Sequence, residues 1–263
     1  MLHYTKYEHP MSRDWVTFIH GAGGSSSIWF KQIKDFKNDF NVLLIDLRGH
    51  GKSKDHKYEV LKKYSFESIG NEVIQVLDHL QIAKSHFVGI SLGTIIIREL
   101  SERHPDRLAS MILAGAVMKL NIKGQILMKI GNTLKSLLPY ILLYRIFAFV
   151  ILPKSKHKAS RILFINEAKK LYQKEFGRWF SLVSEVNPLL RFFRLKETQI
   201  PTLYVMGAED HMFLPSIKKL VEKQKTALLK IVENSGHVVN VDQPASFNSI
   251  SISFLKNETA FLA

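Results

Sequence analysis

The stretch Gly89-Ile90-Ser91-Leu92-Gly93 decides how the rest of this chain is read. Phe87-Val88 before it has the character of a strand ending inside a core. Thr94 to Arg103 after it has helical spacing. A serine on such a strand-to-helix turn is held in a strained backbone with its hydroxyl pushed outward. Glycines flank it because a side chain there would strike the neighbouring strand or helix. The new helix also points its first amides at the hydroxyl, where negative charge would gather during acyl transfer. A five-residue pattern arises by chance as well, so its meaning depends on a base, an acid and an oxyanion site elsewhere.

Outward from this turn the chain alternates. On the N-terminal side, His3 to Glu8 reads as a short edge strand, Trp15 to Ile19 as a central strand, Ile28 to Phe36 as a helix, and Asn41 to Asp46 as a strand. Phe66 to Leu80 has an apolar residue on one helical face at each turn. On the C-terminal side, a strand at Met111-Ile112-Leu113 is followed by about eighty residues without the alternation. It resumes with strand Thr202 to Met206, helix Leu214 to Gln224, strand Leu228 to Val232 and helix Gln243 to Leu255. This order predicts an α/β fold, a mostly parallel, doubly wound sheet covered on both faces. Residues 1–116 and 198–263 are expected to form the core, and 117–197 an inserted helical cap.

Sites in such sheets collect past the carboxyl ends of the strands. Three loops there carry chemistry: His20-Gly21-Ala22-Gly23-Gly24, Gly207-Ala208-Glu209-Asp210 and Ser235-Gly236-His237. A serine hydroxyl is a weak nucleophile and needs an imidazole to take its proton, which His237 can do. A carboxylate must hold that ring in one tautomer and stabilise its charge. Asp210 is preferred to the adjacent Glu209 because a shorter side chain is more easily preorganised. The amides of Leu92 and Ala22 are the expected oxyanion donors. His20 reads as a structural loop histidine, and His50, His86 and His211 as incidental. Asp46 and Asp242 read as structural. The glycine loop has neither a Gly-Lys-Ser/Thr ending nor G-x-G-x-x-G spacing, which speaks against nucleotide binding.

Taken together, the glycine loop, Asp46-Leu47-Arg48-Gly49-His50-Gly51-Lys52-Ser53, the Ser91 turn, Gly207 to Pro215 and Gly236-His237 resemble the α/β-hydrolase superfamily over nearly the whole chain. The resemblance implies a serine hydrolase of the esterase or lipase kind, with catalytic Ser91, Asp210 and His237, oxyanion amides at Ala22 and Leu92, a cap after the Met111 strand, and no cofactor or metal. A serine at position 91 argues against the branches that use an aspartate nucleophile. The acid loop, Asp210 to Pro215, carries one residue more than is common. The expected reaction is cleavage of carboxylic esters or thioesters with an apolar acyl group, through an acyl-enzyme. The same residues can serve a lyase or carbon–carbon hydrolase of the cyclohexadiene-carboxylate synthase type. A hydrolase fold can also act as a ligand-binding receptor.

Composition bounds the setting. A hydrophobic share of 46% with 23% charged residues is that of a globular protein, and the absence of cysteine removes disulfides and thiolate chemistry. No basic-then-apolar leader opens the chain, so a cytoplasmic location is expected, with peripheral membrane attachment as the variant. The net charge is +14. Of this, +12 lies between Val117 and Glu197, where 16 Lys and Arg face 4 Asp and Glu, leaving +2 for the remainder. The same segment contains Leu137 to Leu152, sixteen residues that are too few for the ~20 a bilayer span needs and are broken by Pro139 and Arg145. Two readings fit it. One is a lid helix packed over the site. The other is a greasy segment flanked by Lys135, Lys154, Lys156, Lys158 and Arg161 that suits an anionic membrane surface or a lipid-like substrate. An apolar cap also offers a homodimer contact. Nucleic acid is not an expected partner, because the charge sits on an apolar lid without a recognition motif.

Overall fold

The computed structural model describes residues 1–54, 64–134 and 137–257, so Lys135 lies outside the described residues. Among these, seven strands form one sheet: β1 (Tyr4–Tyr7), β2 (Trp15–Ile19), β3 (Asn41–Ile45), β4 (Ser85–Ile90), β5 (Leu108–Ala114), β6 (Thr202–Gly207) and β7 (Ala227–Val232). Their spatial order is β1-β3-β2-β4-β5-β6-β7. Only β1 runs antiparallel, pairing Tyr4 with Ile45 at the edge, and every other pairing is parallel. β3 and β4 are buried along their whole lengths, as strands covered on both faces must be.

Helices cover both faces. α1 (Phe30–Phe36) is preceded by a 3₁₀ turn at Ser26–Trp29. α2 (Phe66–His79) and α3 (Leu92–Arg103) lie on the other face. α2 shows how sequence sets an element. Ser65 and Ser68 cap its first turn reciprocally, and Phe66, Ile69, Val73, Val76 and Leu77 fall on one buried face. Full burial of each such side chain stabilises the fold by about 1.5–3 kcal/mol.

Between β5 and β6 the chain leaves the sheet and runs through α4 (Ile122–Leu134), α5 (Tyr140–Ile151), α6 (Lys158–Ala168), α7 (Gln173–Ser181) and α8 (Val183–Leu195). These helices have a small core of their own, built from Leu143, Tyr144, Ala168, Leu171, Phe176 and Phe180. The sheet then resumes with β6, followed by α9 (Leu214–Val221), β7, a single turn α10 (Val239–Asp242) and α11 (Pro244–Lys256). α9 stops three residues short of the predicted Gln224, at Lys-rich, exposed turns.

Candidate active site

Ser91 sits between β4 and α3 with φ 53° and ψ −118°, a left-handed conformation that non-glycine residues avoid. The close approach of β2 enforces this turn. A Cβ on Gly93 would lie 2.4 Å from the Ile19 carbonyl oxygen, so only glycine fits. The Ser91 amide is held by the Ala114 carbonyl at the end of β5, 3.1 Å away.

His237 Nε2 lies 3.0 Å from Ser91 Oγ, and His237 Nδ1 lies 2.8 Å from Asp210 Oδ2. A carboxylate only accepts, so Nδ1 carries the proton and the neutral ring presents Nε2 as acceptor for the serine hydroxyl. Asp210 is oriented in turn by the Phe213 amide, 3.1 Å from its other oxygen, and both Asp210 and His237 are buried. The histidine loop packs tightly on β5, where Gly115 takes a φ of 47° and a Cβ would lie 2.3 Å from the His237 carbonyl oxygen. The Asp242 carboxylate accepts from the Gly236 amide at 2.8 Å and from the Ser160 hydroxyl, fixing the residue before His237. The chain thus brings Ser91, His237 and Asp210 into one hydrogen-bonded series.

Glu209 is engaged elsewhere. Lys156, His157 at 2.9 Å and Lys154 at 3.3 Å, all from the segment joining α5 to α6, converge on its carboxylate. The hydrogen bond from Lys156, followed by those from Lys154 and His157, depresses its pKa to about 2. Glu209 therefore ties the inserted helices to the sheet, one residue from the carboxylate that touches His237.

Ala22 and Leu92 border the same cavity as Ser91, and among the described residues neither amide has a hydrogen-bond acceptor. The loop carrying Ala22 is held by two buried histidines. His20 Nδ1 bonds the Gly21 carbonyl at 2.8 Å, while its Nε2 accepts from the Leu47 amide. His50 Nε2 accepts from the Gly23 amide at 3.0 Å, and its Nδ1 donates to the Arg48 carbonyl. His50 is therefore not incidental, contrary to the sequence reading, because it positions the residue next to Ala22. His86 also differs from expectation, being buried against the Ser110 hydroxyl at 2.8 Å, whereas His211 is exposed. Burial, reinforced by neighbouring His20, pushes the His50 pKa down to about 3, and burial lowers that of His20. Burial pushes the Asp46 carboxyl up, but the amides of Ser26 and Lys52 outweigh it and hold the pKa below the ordinary value.

Above Ser91 lies a cavity of about 190 Å³. Phe66 and Val238 of the sheet domain line it together with Met128, Tyr144, Phe147, Phe164, Phe176, Trp179 and Phe180 of the inserted helices. Among the described residues no lysine, arginine, aspartate or glutamate borders it. Trp179 is anchored by its indole N–H to the Arg48 carbonyl at 3.0 Å and lies edge-on to His50. These cap residues were missing from the sequence-based site. Their aromatic spacing gave the only signal, and it did not say where the helices fold. No group of metal-binding side chains occurs among the described residues.

A parallel sheet with a strained serine turn at its centre and a histidine and an aspartate on later strand ends defines an α/β-hydrolase fold. The chain resembles the α/β-hydrolase superfamily: the family profile described as "alpha/beta hydrolase fold" matches residues 14–137. A protein of Acinetobacter baylyi, provisionally named carbamate hydrolase RutD, is 28% identical over 274 residues, covering 97% of this chain and 98% of the relative. A Bacillus subtilis protein provisionally named 2-succinyl-6-hydroxy-2,4-cyclohexadiene-1-carboxylate synthase is 24% identical over 258 residues, covering 94% and 92%. Among solved structures, a thermophilic esterase from Thermogutta terrifontis superposes with a TM-score of 0.79 at 15% identity, covering 97% of this chain and 93% of that one.

Proposed function

We propose that this chain is a serine hydrolase of uncharged carboxylic esters or thioesters, with the acyl group seated in the apolar cavity. The observation that carries the reading is the Ser91–His237–Asp210 series, at 3.0 and 2.8 Å, opening into a cavity bordered by no lysine, arginine, aspartate or glutamate among the described residues. Ser91 Oγ attacks the carbonyl carbon as its proton passes to His237 Nε2. The resulting oxyanion takes hydrogen bonds from the Ala22 and Leu92 amides. The tetrahedral adduct expels the alcohol or thiol, which leaves with the proton from His237, and the acyl group remains on Ser91. Water, deprotonated by His237, attacks the acyl-enzyme, releases the carboxylic acid and restores the serine hydroxyl. Asp210 stays ionised and stabilises the imidazolium in both half-reactions.

The cavity also bears on substrate class. About 190 Å³ exceeds the roughly 150 Å³ that encloses one benzene, which corresponds to an acyl group of roughly six to eight carbons. The relatives' names point to a carbamate and to a cyclohexadiene carboxylate. A small polar carbamate leaves most of this apolar wall uncovered. A carboxylate-bearing substrate finds no cation there among the described residues, and burying an unpaired carboxylate costs several kcal/mol or more.

The test is covalent labelling by a fluorophosphonate together with turnover of p-nitrophenyl esters of graded acyl length. The parent protein is expected to label and to prefer medium chains. Ser91→Ala should lose labelling and at least about 10³-fold in kcat. Full labelling of Ser91→Ala would overturn the assignment.

A further inference from the structure

Two of the helices that line the cavity also carry exposed apolar stripes on their outer sides. α4 sends Met128 to the cavity, yet Ile122, Ile126 and Ile130, spaced four residues apart on the opposite side, are 75%, 53% and 45% exposed. α5 lines the cavity with Phe147, Ala148 and Ile151, while Leu142, Ile146 and Phe149 form an exposed stripe. A surface helix ordinarily turns a polar face to water, and one that is apolar all round is covered by something. At 12 residues α5 is about 18 Å long, far below the ~30 Å of a bilayer core, and no described helix is long and apolar enough to cross a membrane.

Charge decides what covers this face. Arg145 stands within the α5 stripe and Lys129 borders the α4 stripe, and neither has an acidic partner among the described residues. Arg161 lies over the Phe149 ring, 4.6 Å from its centre. A second copy docked through the same face would bring these cations against their own images. An anionic, apolar surface satisfies both features at once.

We propose that the outer faces of α4 and α5 form a docking surface for an anionic lipid bilayer. The helices lie in the headgroup plane, with the Ile122/Ile126/Ile130 and Leu142/Ile146/Phe149 stripes inserted and Lys129 and Arg145 on lipid phosphates. Because the inner sides of the same helices line the cavity, docking sets the Ser91 site one helix thickness from the lipid. The surface itself does not depend on the reading of Ser91.

The experiment is co-sedimentation of the full chain with phosphatidylcholine vesicles, with and without phosphatidylglycerol, at low and high salt. Binding is expected only with phosphatidylglycerol and should weaken as salt rises. Lys129→Gln/Arg145→Gln should weaken it roughly twenty- to thirtyfold, at about fivefold per charge. Ile126→Ser/Phe149→Ser should abolish it while the circular dichroism spectrum and urea melt stay those of the parent, which shows that the fold is intact. Equal binding to neutral vesicles, or none to anionic ones, would overturn the proposal. So would a homodimer in light scattering that Ile126→Ser/Phe149→Ser dissolves, or binding to nucleic acid that these apolar substitutions leave untouched.

Discussion

At Ser91 the backbone adopts a conformation that costs about 1–3 kcal/mol, and the surrounding packing must hold it there. Gly93 is central to that packing. Its α-carbon faces the Ile19 and His20 carbonyl oxygens, where an added methyl would stand at 2.4 and 2.9 Å. Backbone atoms of a central strand cannot move aside as a flexible side chain could. Gly93→Ala is therefore expected to lose about 3 kcal/mol of stability in urea melts, with fluorophosphonate labelling falling in parallel. Parental stability in that variant would mean that the turn relaxes freely. Much of this was legible from local sequence, because Ser91, Asp210 and His237 each fall just past a strand recognisable by itself. The choice between Asp210 and Glu209 was less so. A shorter side chain favoured Asp210, but the structural reason lies fifty residues away, where Lys154, Lys156 and His157 engage Glu209. Likewise, nothing adjacent to His50 announces its bond to Gly23, since that contact spans two loops.

The elements of the sheet were readable because most of the strands are short apolar runs bounded by turn residues. β2 begins and ends where predicted, at Trp15 and Ile19. The inserted helices were readable only as helices. Leu137 to Leu152 reads as one apolar run interrupted by Pro139 and Arg145, with no sign of two faces, but the structure divides α5 into an inner face with Tyr144 and Phe147 and an outer face with Leu142 and Phe149. Which side faces the site depends on packing against Phe176 and Phe180, partners some thirty residues later in the chain. Phe147 is a useful probe of this element. It borders the cavity and stacks on Phe180 at 6.0 Å, so Phe147→Ala enlarges the space over Ser91 at the roof. In the graded ester series its optimum should move to chains a few carbons longer, with kcat/KM for short esters falling less than about tenfold. An unmoved optimum would place the acyl group elsewhere. A collapse of turnover on every chain length would make the residue a structural support instead.

For the molecule as a whole, the buried titratable groups act in one direction as pH falls. His50, with a pKa near 3, and His20, also lowered, stay neutral in the folded chain, whereas each takes up a proton near pH 6.5 once unfolded. The unfolded state then binds more protons, so stability is full above about pH 6.5 and declines below it. Each histidine contributes a loss of up to about 1.4 kcal/mol per pH unit. The depressed carboxylates come next. Stability from Asp46 and from the Glu209 cluster is present above their ordinary pKa values of 3.8 and 4.5, and is lost as pH falls toward their folded values. A chain already at +14 gains further positive charge on this path, which adds self-repulsion to the folded state. Urea melts from about pH 7 to about pH 5 should therefore show a steady fall in stability before any carboxylate titrates. His50→Gln should be weaker at neutral pH, having lost part of its hold on the Ala22 loop, but its stability should fall less steeply with acid. A parent profile that is flat over this range would show that the two imidazoles accept protons without leaving the fold.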